Sequence, residues 1–435
     1  MLEALAERHA RRAAAERAEN ERRGRQLPAH DVLATARDGA SRATEAWRQT
    51  APAEGLRVLT YELEPDHHHG RISVADGLVA DTRALAELAL DPSLEDLDLS
   101  RALFLDTETT GLSMGGGTVA FLVGLAFFVD GALVVEQLFL EELSAEPMLL
   151  QRLKARVAKA SVIITYNGKS YDWPLLTSRY VLNRVEPPPS RPHLDLLTLA
   201  RRVYRARLGS VRLVQMEMEV LGHHREHDIS GAEIPGTYWA FQRHGRPEGV
   251  LPVLEHNIQD LVALSALQGE LARRYRDLQL ADDPADQWSR ARVAFRARSY
   301  ERALSFAQAA IDGGATSPVV GRAAMLAADV HRKSKRYEAA VDVLESSLCD
   351  LHPNSLEMSQ VKLELAKLWE HRLKDPSRAL RYAAATEKAE GLELSKKRQA
   401  RLKKRMARKS PAGGLSTVAR CTHLQKPLAE GCEHA

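Results

Sequence analysis

Two acids two residues apart, Asp106 and Glu108, stand in the stretch Leu103-Phe104-Leu105-Asp106-Thr107-Glu108-Thr109-Thr110-Gly111-Leu112. Side chains alternate across a strand, so both carboxylates leave the same face at the end of an apolar run. Two carboxylates converging from a rigid strand end make half a site for a hard divalent cation. A solvated strand end before a Thr-Gly turn would carry the same residues. Two further stretches add matching chemistry. Asp172 falls in the first turn of a helical pattern that follows the β-branched run Ser161–Tyr166 and Asn167-Gly168-Lys169-Ser170-Tyr171. In open α/β sheets such strand ends are where sites form, although the helix macrodipole alone also favours an acid there. His256 and Asp260 share one face of a helical pattern, beside the apolar row Leu261, Leu264 and Leu267. They could supply a proton acceptor and a metal ligand, or only an ion pair worth a few tenths of a kcal/mol. Gly168-Lys169-Ser170 looks like the end of a phosphate-binding P-loop, but that motif needs a glycine where the chain has Ile163.

Asp106-Thr107-Glu108-Thr109-Thr110-Gly111-Leu112, Asn167 through Asp172, and His256-Asn257 with Asp260 together resemble the three motifs of the DnaQ-like (DEDD) exonuclease superfamily, in its YprB-type ribonuclease-H-like branch. Ala120–Leu125, His193–Leu197 and Gly231–Pro235 are similar to that branch as well. The resemblance covers roughly residues 100–275 and leaves both flanks unassigned. It implies a metal-dependent 3′→5′ exonuclease acting on single-stranded or end-exposed DNA or RNA with two divalent ions, Mg2+ or Mn2+, about 3.5–4 Å apart. By resemblance, Asp106 bridges both ions, Glu108 and Asp260 complete the first site, and Asp172 holds the second. His256 then accepts a proton from the attacking water, a task suited to an imidazole with an unperturbed pKa of about 6.5. Thr109, Thr110 and Asn167 are the expected contacts to the terminal nucleotide, and Asp195 is expected to be structural. The third motif departs from the superfamily: its spacing is His-x3-Asp, with histidine where one form has tyrosine, which leaves the reach of His256 open.

The elements that must position these residues follow from the pattern. After the acidic strand come Gly115-Gly116-Gly117 and two apolar runs, Val119–Val129 and Ala132–Leu140, split by Asp130-Gly131, a strong hairpin signal. With the helical Met148–Ala160 and the strand after it, the order β-β-β-α-β-α predicts a mixed sheet with helices packed on it, a ribonuclease-H-like α/β fold over residues 100–278. Residues 1–26 are expected as a charged helical arm, and residues 27–99 as an N-terminal extension packing on the nuclease domain, with a strand over Gly55–Leu63. In that extension His67-His68-His69 could bind metal, but successive loop residues rarely converge on one ion. Beyond residue 285 strands disappear. Tyr300–Leu304, Tyr337–Val341 and Pro376–Leu380 look like copies of one unit, predicting an all-α tetratricopeptide-like repeat domain over 285–409 and a flexible tail over 410–435.

Composition bounds the rest. A 435-residue chain with 44% hydrophobic residues has room for two or three cored domains, and a net charge of +3 carries little global information. Basic residues cluster instead, in Lys396-Lys397-Arg398, Arg401, Lys403-Lys404-Arg405 and Arg408-Lys409, either a phosphate-binding stripe or a solvated final helix. Three cysteines make no disulfide framework. Cys421, His423, Cys432 and His434 could make a small zinc site, although their spacing is not the usual one and free thiols in the tail are favoured. No apolar run spans a bilayer and no secretory or transit segment is evident, so the expected setting is cytoplasmic. The competing function is a non-catalytic scaffold in which a degenerate nuclease fold and helical repeats bridge nucleic acid or protein partners. Four acids converging without a cation repel one another, which argues against it.

Overall fold

In the computed structural model, residues 39–111, 117–226, 228–278, 283–313 and 317–409 are described. The expected arm over 1–26, the tail with its four candidate zinc ligands, and Gly115-Gly116 lie outside them. The described chain divides into two compact units: one runs to Arg201 and resumes over Ser210–Arg276, and the other joins Arg202–Gly209 to the residues from Asp277 onward.

The first unit is built on a six-stranded mixed sheet. Its strands are β1 (Leu56–Leu63), β4 (Ala102–Thr109), β5 (Ala120–Val129), β6 (Ala132–Leu140), β7 (Val162–Thr165) and β8 (His193–Asp195), in the spatial order β1-β6-β5-β4-β7-β8. The acidic strand β4 is central, antiparallel to β5 and parallel to β7, and its Leu103, Phe104 and Leu105 are fully buried. Strands buried on both faces read as continuous apolar runs, which is the pattern of Leu103–Leu105 and of Ala120–Ala126. Asp130 (φ 49°) and Gly131 (φ 88°) close the β5–β6 hairpin with both residues left-handed, so that Val129 pairs Ala132. Strand β1, expected in an extension packing on the nuclease domain, is an edge strand of the same sheet, antiparallel to β6 from Leu56 to Leu63. The two-residue strands β2 (His68–His69) and β3 (Ile72–Ser73) form a separate ribbon.

Helices of this unit, in chain order, are α1 (Gly39–Gln49), α2 (Thr82–Ala89), α3 (Glu146–Lys159), α4 (Asp172–Leu182), α5 (Leu196–Leu208, of which the residues from Arg202 count with the other unit), α6 (Leu213–Met216), α7 (Ile234–His244) and α8 (Leu251–Arg276). Helix α6 continues into a π-helical turn, Glu217–Leu221. The organising helix is α8. From Leu261 to Ala272 it is buried on all sides, and two of its buried polar side chains donate to backbone: Ser265 Oγ to Val74 O and Gln268 Nε2 to Gly77 O, both at 2.8 Å.

Among its described residues the second unit is all helical. Three hairpins, α9 (Pro284–Arg296) with α10 (Tyr300–Asp312), α11 (Ser317–Lys333) with α12 (Tyr337–Ser346), and α13 (Leu356–His371) with α14 (Pro376–Ala383), precede the short α15 (Glu387–Glu390) and the final α16 (Leu392–Lys409). Each repeated pentapeptide opens the second helix of a hairpin. Each is entered through a left-handed residue two positions earlier: Arg298 (φ 63°), Lys335 (φ 57°) and Lys374 (φ 60°). The shared stop is a left-handed basic residue, rather than glycine, in the turn just past the first helix.

Candidate active site

Four of the expected residues converge from three elements. Asp106 and Glu108 come from the end of β4, Asp172 is the first residue of α4, and Asp260 lies in α8. The twist needed at the strand end is supplied by a register shift between Glu108 and Thr109 in the β4–β5 pairing. Asp172 is fixed by the Thr107 hydroxyl, which donates to its Oδ1.

Asp106 is fixed by a buried relay that crosses the sheet. Asn257 Nδ2 donates to Asp106 Oδ2 at 2.8 Å; Gln137 Nε2 donates to Asn257 Oδ1 at 2.9 Å; Tyr61 Oη donates to Gln137 Oε1 at 3.1 Å. Asn257 reaches that position because residue 124 is glycine: a Cβ there would fall 2.1 Å from the Asn257 amide oxygen. The third motif contains Asn257 without giving it a role, and no motif contains Gln137. Both are wholly buried polar residues on apolar elements, the one signal that could have marked them.

The electrostatics are those of a cluster with too much negative charge. Burial, and then the charges of Asp260, Glu108 and Asp172, hold the Asp106 carboxyl well above its ordinary range. Glu108 is raised to about 8, by burial first; the nearby His256 lowers it less than burial and the neighbouring acids raise it. Asp172 is raised to about 6, again chiefly by burial, against the Thr107 hydrogen bond.

A loop following the π turn supplies two groups that lie outside every motif. Arg225, 2% exposed, donates to Asp260 Oδ1 and to Asp228 Oδ2 at 3.3 Å, and forms an ion pair with Glu217 Oε2 at 2.8 Å. One oxygen of Asp260 is therefore engaged by a cation. Asp228 Oδ1 accepts from His256 Nδ1 at 2.7 Å, which turns His256 Nε2 toward Glu108 and Asp260, 3.8 Å from a carboxylate oxygen of each. Burial would lower the His256 pKa, but the Asp228 hydrogen bond and the charges of Asp260 and Glu108 outweigh it and raise it to about 9. These surroundings favour the charged imidazole over the neutral form that a base requires.

The expected nucleotide contacts sit differently. Thr109 Oγ1 donates to Gly111 O at 2.9 Å, while Thr110 Oγ1 accepts from Val119 N at 3.0 Å, so both hydroxyls fasten the turn beyond β4. Asn167 is exposed at the β7–α4 loop with φ 71°. Asp195, expected to be structural, ties that loop down by accepting from Asn167 N at 2.9 Å, Lys169 N at 3.3 Å and Leu197 N at 3.1 Å. Trp239 of α7, 40% exposed, donates through Nε1 to Thr110 O at 3.4 Å, which sets an open indole beside the acidic strand end.

A family model for RNase_H_2, of the RNase_H superfamily, matches residues 103–272, a span that holds Asp106, Glu108, Asp172, His256 and Asp260. The unit is ribonuclease-H-like. The chain is also similar to the uncharacterised protein YprB of Bacillus subtilis (strain 168), at 28% identity over 357 residues, 81% of this chain and 84% of that relative. The superfamily match supports nuclease-type chemistry on nucleic acid, of the kind that typically uses divalent metals. The residues present fit such a group. The four side chains offer hard oxygens without thiolates, and their mutual repulsion is offset only in part by Arg225 and a protonated His256. No described helix is long and apolar enough to cross a membrane.

Proposed function

We propose that the protein is a metal-dependent nuclease of the DEDD type, a 3′→5′ exonuclease on single-stranded or end-exposed nucleic acid. The observation that carries this is the convergence of Asp106, Glu108, Asp172 and Asp260 from β4, α4 and α8, with the carboxyl pKa values of Asp106, Glu108 and Asp172 driven up by burial and by neighbouring acids. Asp106, Glu108, Asp172 and Asp260 would hold two Mg2+ or Mn2+ ions, which when bound supply a more acidic water and offset charge on the phosphate. Asn257, steadied by Gln137 and Tyr61, keeps the Asp106 carboxylate aimed into the site. His256, oriented by Asp228, presents Nε2 to the space between Glu108 and Asp260, where it takes or relays the proton of the attacking water. Compensating the Glu108 and Asp260 charges removes two of the influences that raise the His256 pKa, bringing it back toward the range of a base.

Trp239 is suited to stack on the base of the terminal nucleotide, which is sequence-tolerant because every base has a π face. Asn167, exposed at the loop leading into α4, is available to the sugar–phosphate of the same nucleotide. In the helical unit, Arg398, Arg401 and Arg405 of α16 pair with Glu370, while Lys396, Lys397, Lys403, Lys404 and Arg408 are exposed as a phosphate-binding face. The hairpins are the natural element to recruit a protein partner.

The test is degradation of end-labelled single-stranded DNA and RNA in Mg2+, Mn2+ or EDTA, with Asp106→Asn alongside. Metal-dependent shortening from the 3′ end, absent in the variant, is the expected result. Internal cleavage would keep the site and change the enzyme class, and inactivity on both polymers in both metals would favour the scaffold.

A further inference from the structure

A cluster of side chains able to ligate a metal lies in the same unit, apart from the four carboxylates. His69, on the β2–β3 ribbon, Glu217, at the start of the π turn, and His223, just beyond it, bring one ligand atom each to within 4.8 Å of one another. His69 Nε2 stands 2.7 Å from Glu217 Oε1, and the two imidazole rings are 3.9 Å apart between centroids. His69 and Glu217 are fully buried, and His223 Nε2 is a buried nitrogen with no hydrogen-bond partner. An orphaned ring nitrogen beside a buried carboxylate is costly unless something fills the gap.

The backbone is built to hold these three residues together although 148 positions separate His69 from Glu217. Arg71 N donates to Leu221 O at 2.8 Å, joining the ribbon to the π turn. Each ligand histidine adjoins a glycine that permits the approach. Gly70 (φ 64°) would carry a Cβ 2.3 Å from Leu221 O and 2.8 Å from His223 N, and Gly222 (φ 70°) one 2.6 Å from Arg71 Nε. The interlock explains why His69 alone, of the three consecutive histidines, points inward.

We propose that His69 Nε2, Glu217 and His223 Nε2 form a binding site for a zinc-class divalent cation. Two neutral imidazoles and one carboxylate are the donor set of such an ion rather than of Mg2+, which prefers oxygen ligands and retained water. Bound there, the cation replaces the His69–Glu217 hydrogen bond and satisfies the orphaned His223 nitrogen. It would pin the ribbon to the helix end and fix the Glu217 carboxylate, whose second oxygen is ion-paired with Arg225, the residue that also reaches Asp260. The cluster stands independently of the nuclease function, since its evidence is its own geometry.

The test uses the full chain, stripped with chelator, dialysed against zinc and counted by elemental analysis. Wild type, Asp106→Asn, the double variant Cys421→Ser/Cys432→Ser, and His223→Ala are compared. One tight zinc equivalent is expected in the first three, weakened about 100-fold or more in His223→Ala, a ligand loss exceeding the 10–100-fold cost of losing an outer partner. Stripped His223→Ala melting together with stripped wild type would establish that the loss is not unfolding. Should it melt lower, Co2+ added to the wild-type chain decides instead: visible bands of a nitrogen–oxygen tetrahedral site without thiolate charge transfer are expected. No tight equivalent in wild type, an equivalent that survives in folded His223→Ala, or Co2+ bands carrying thiolate charge transfer would overturn the site.

Discussion

Two acids in this protein live in opposite surroundings. Asp106 is flanked by Glu108, Asp172 and Asp260, and burial and like charge together raise its carboxyl pKa. Glu370, in the helical unit, accepts from Arg401 Nε at 2.8 Å, Arg405 Nη1 at 3.0 Å and Arg398 Nη1 at 3.1 Å. Burial would raise its pKa too, but the Arg401 hydrogen bond and the surrounding positive charge hold it below the usual range. A structural acid is supplied with its cations by the fold. The Asp106 cluster is left short of them, and that deficit, rather than burial or acidity alone, is what the proposed cation site rests on.

The comparison breaks most sharply on activity. Asp106→Asn is expected to lower the nuclease rate by about 10³-fold or more, the loss of several kcal/mol of charge stabilisation, in a single-turnover assay. In EDTA the same change should raise the melting temperature, because it removes a repelled charge while the amide oxygen still accepts from Asn257. A lowered melting temperature would mean the cluster is compensated after all. Glu370→Gln should do the reverse in the helical unit, costing about 1–3 kcal/mol in denaturant melts with no effect on catalysis.

The pH dependence separates the two regions by sign. Acids with raised folded pKa values bind more protons folded than unfolded, so their contribution is present at low pH and lost as pH rises. For Glu108 (about 8) and Asp172 (about 6), metal-free stability of the α/β unit should fall between roughly pH 4.5 and pH 8. Mn2+ should abolish the decline. Glu370, its pKa lowered, contributes stability above the ordinary glutamate range that is lost as pH falls through it. Calorimetric scans with and without EDTA across that range distinguish these slopes.

Smaller effects sharpen the picture of substrate. Trp239→Ala should raise KM for single strands about tenfold with kcat changed less, the worth of one stacked base. An equal fall in both kcat and kcat/KM would instead assign the indole to positioning the turn at Thr110. Replacing Lys396, Lys397, Lys403 and Lys404 by alanine should flatten the salt dependence of binding, by about 0.7 in log–log slope for each phosphate no longer neutralised.

Much of the acid set was legible because strand alternation and helix spacing are local. Asp106 with Glu108, Asp172 after its strand, and Asp260 in α8 all converge in the fold that their motif order implied. The Asp130-Gly131 turn and the onset of α10, α12 and α14 were readable for the same reason. The groups that tune the site were not. Arg225 and Asp228 lie in an aperiodic loop, and their partners Asp260 and His256 are 28 or more positions away. Gln137 and Asn257 are polar residues whose role exists only once β6 and α8 are packed. His69 was visible, but as one of three adjacent histidines. Its partners, Glu217 and His223, become neighbours only through the interlocked backbone.

The most direct measurement is Mn2+ binding to the full chain, followed by the loss of the free-ion electron paramagnetic resonance signal. Wild type, Asp106→Asn and Glu370→Gln are titrated under identical conditions. Two equivalents that disappear or weaken sharply in Asp106→Asn and persist unchanged in Glu370→Gln are expected. Absence of Mn2+ binding in wild type, or binding indifferent to Asp106, would contradict the assignment of the four carboxylates as a cation site.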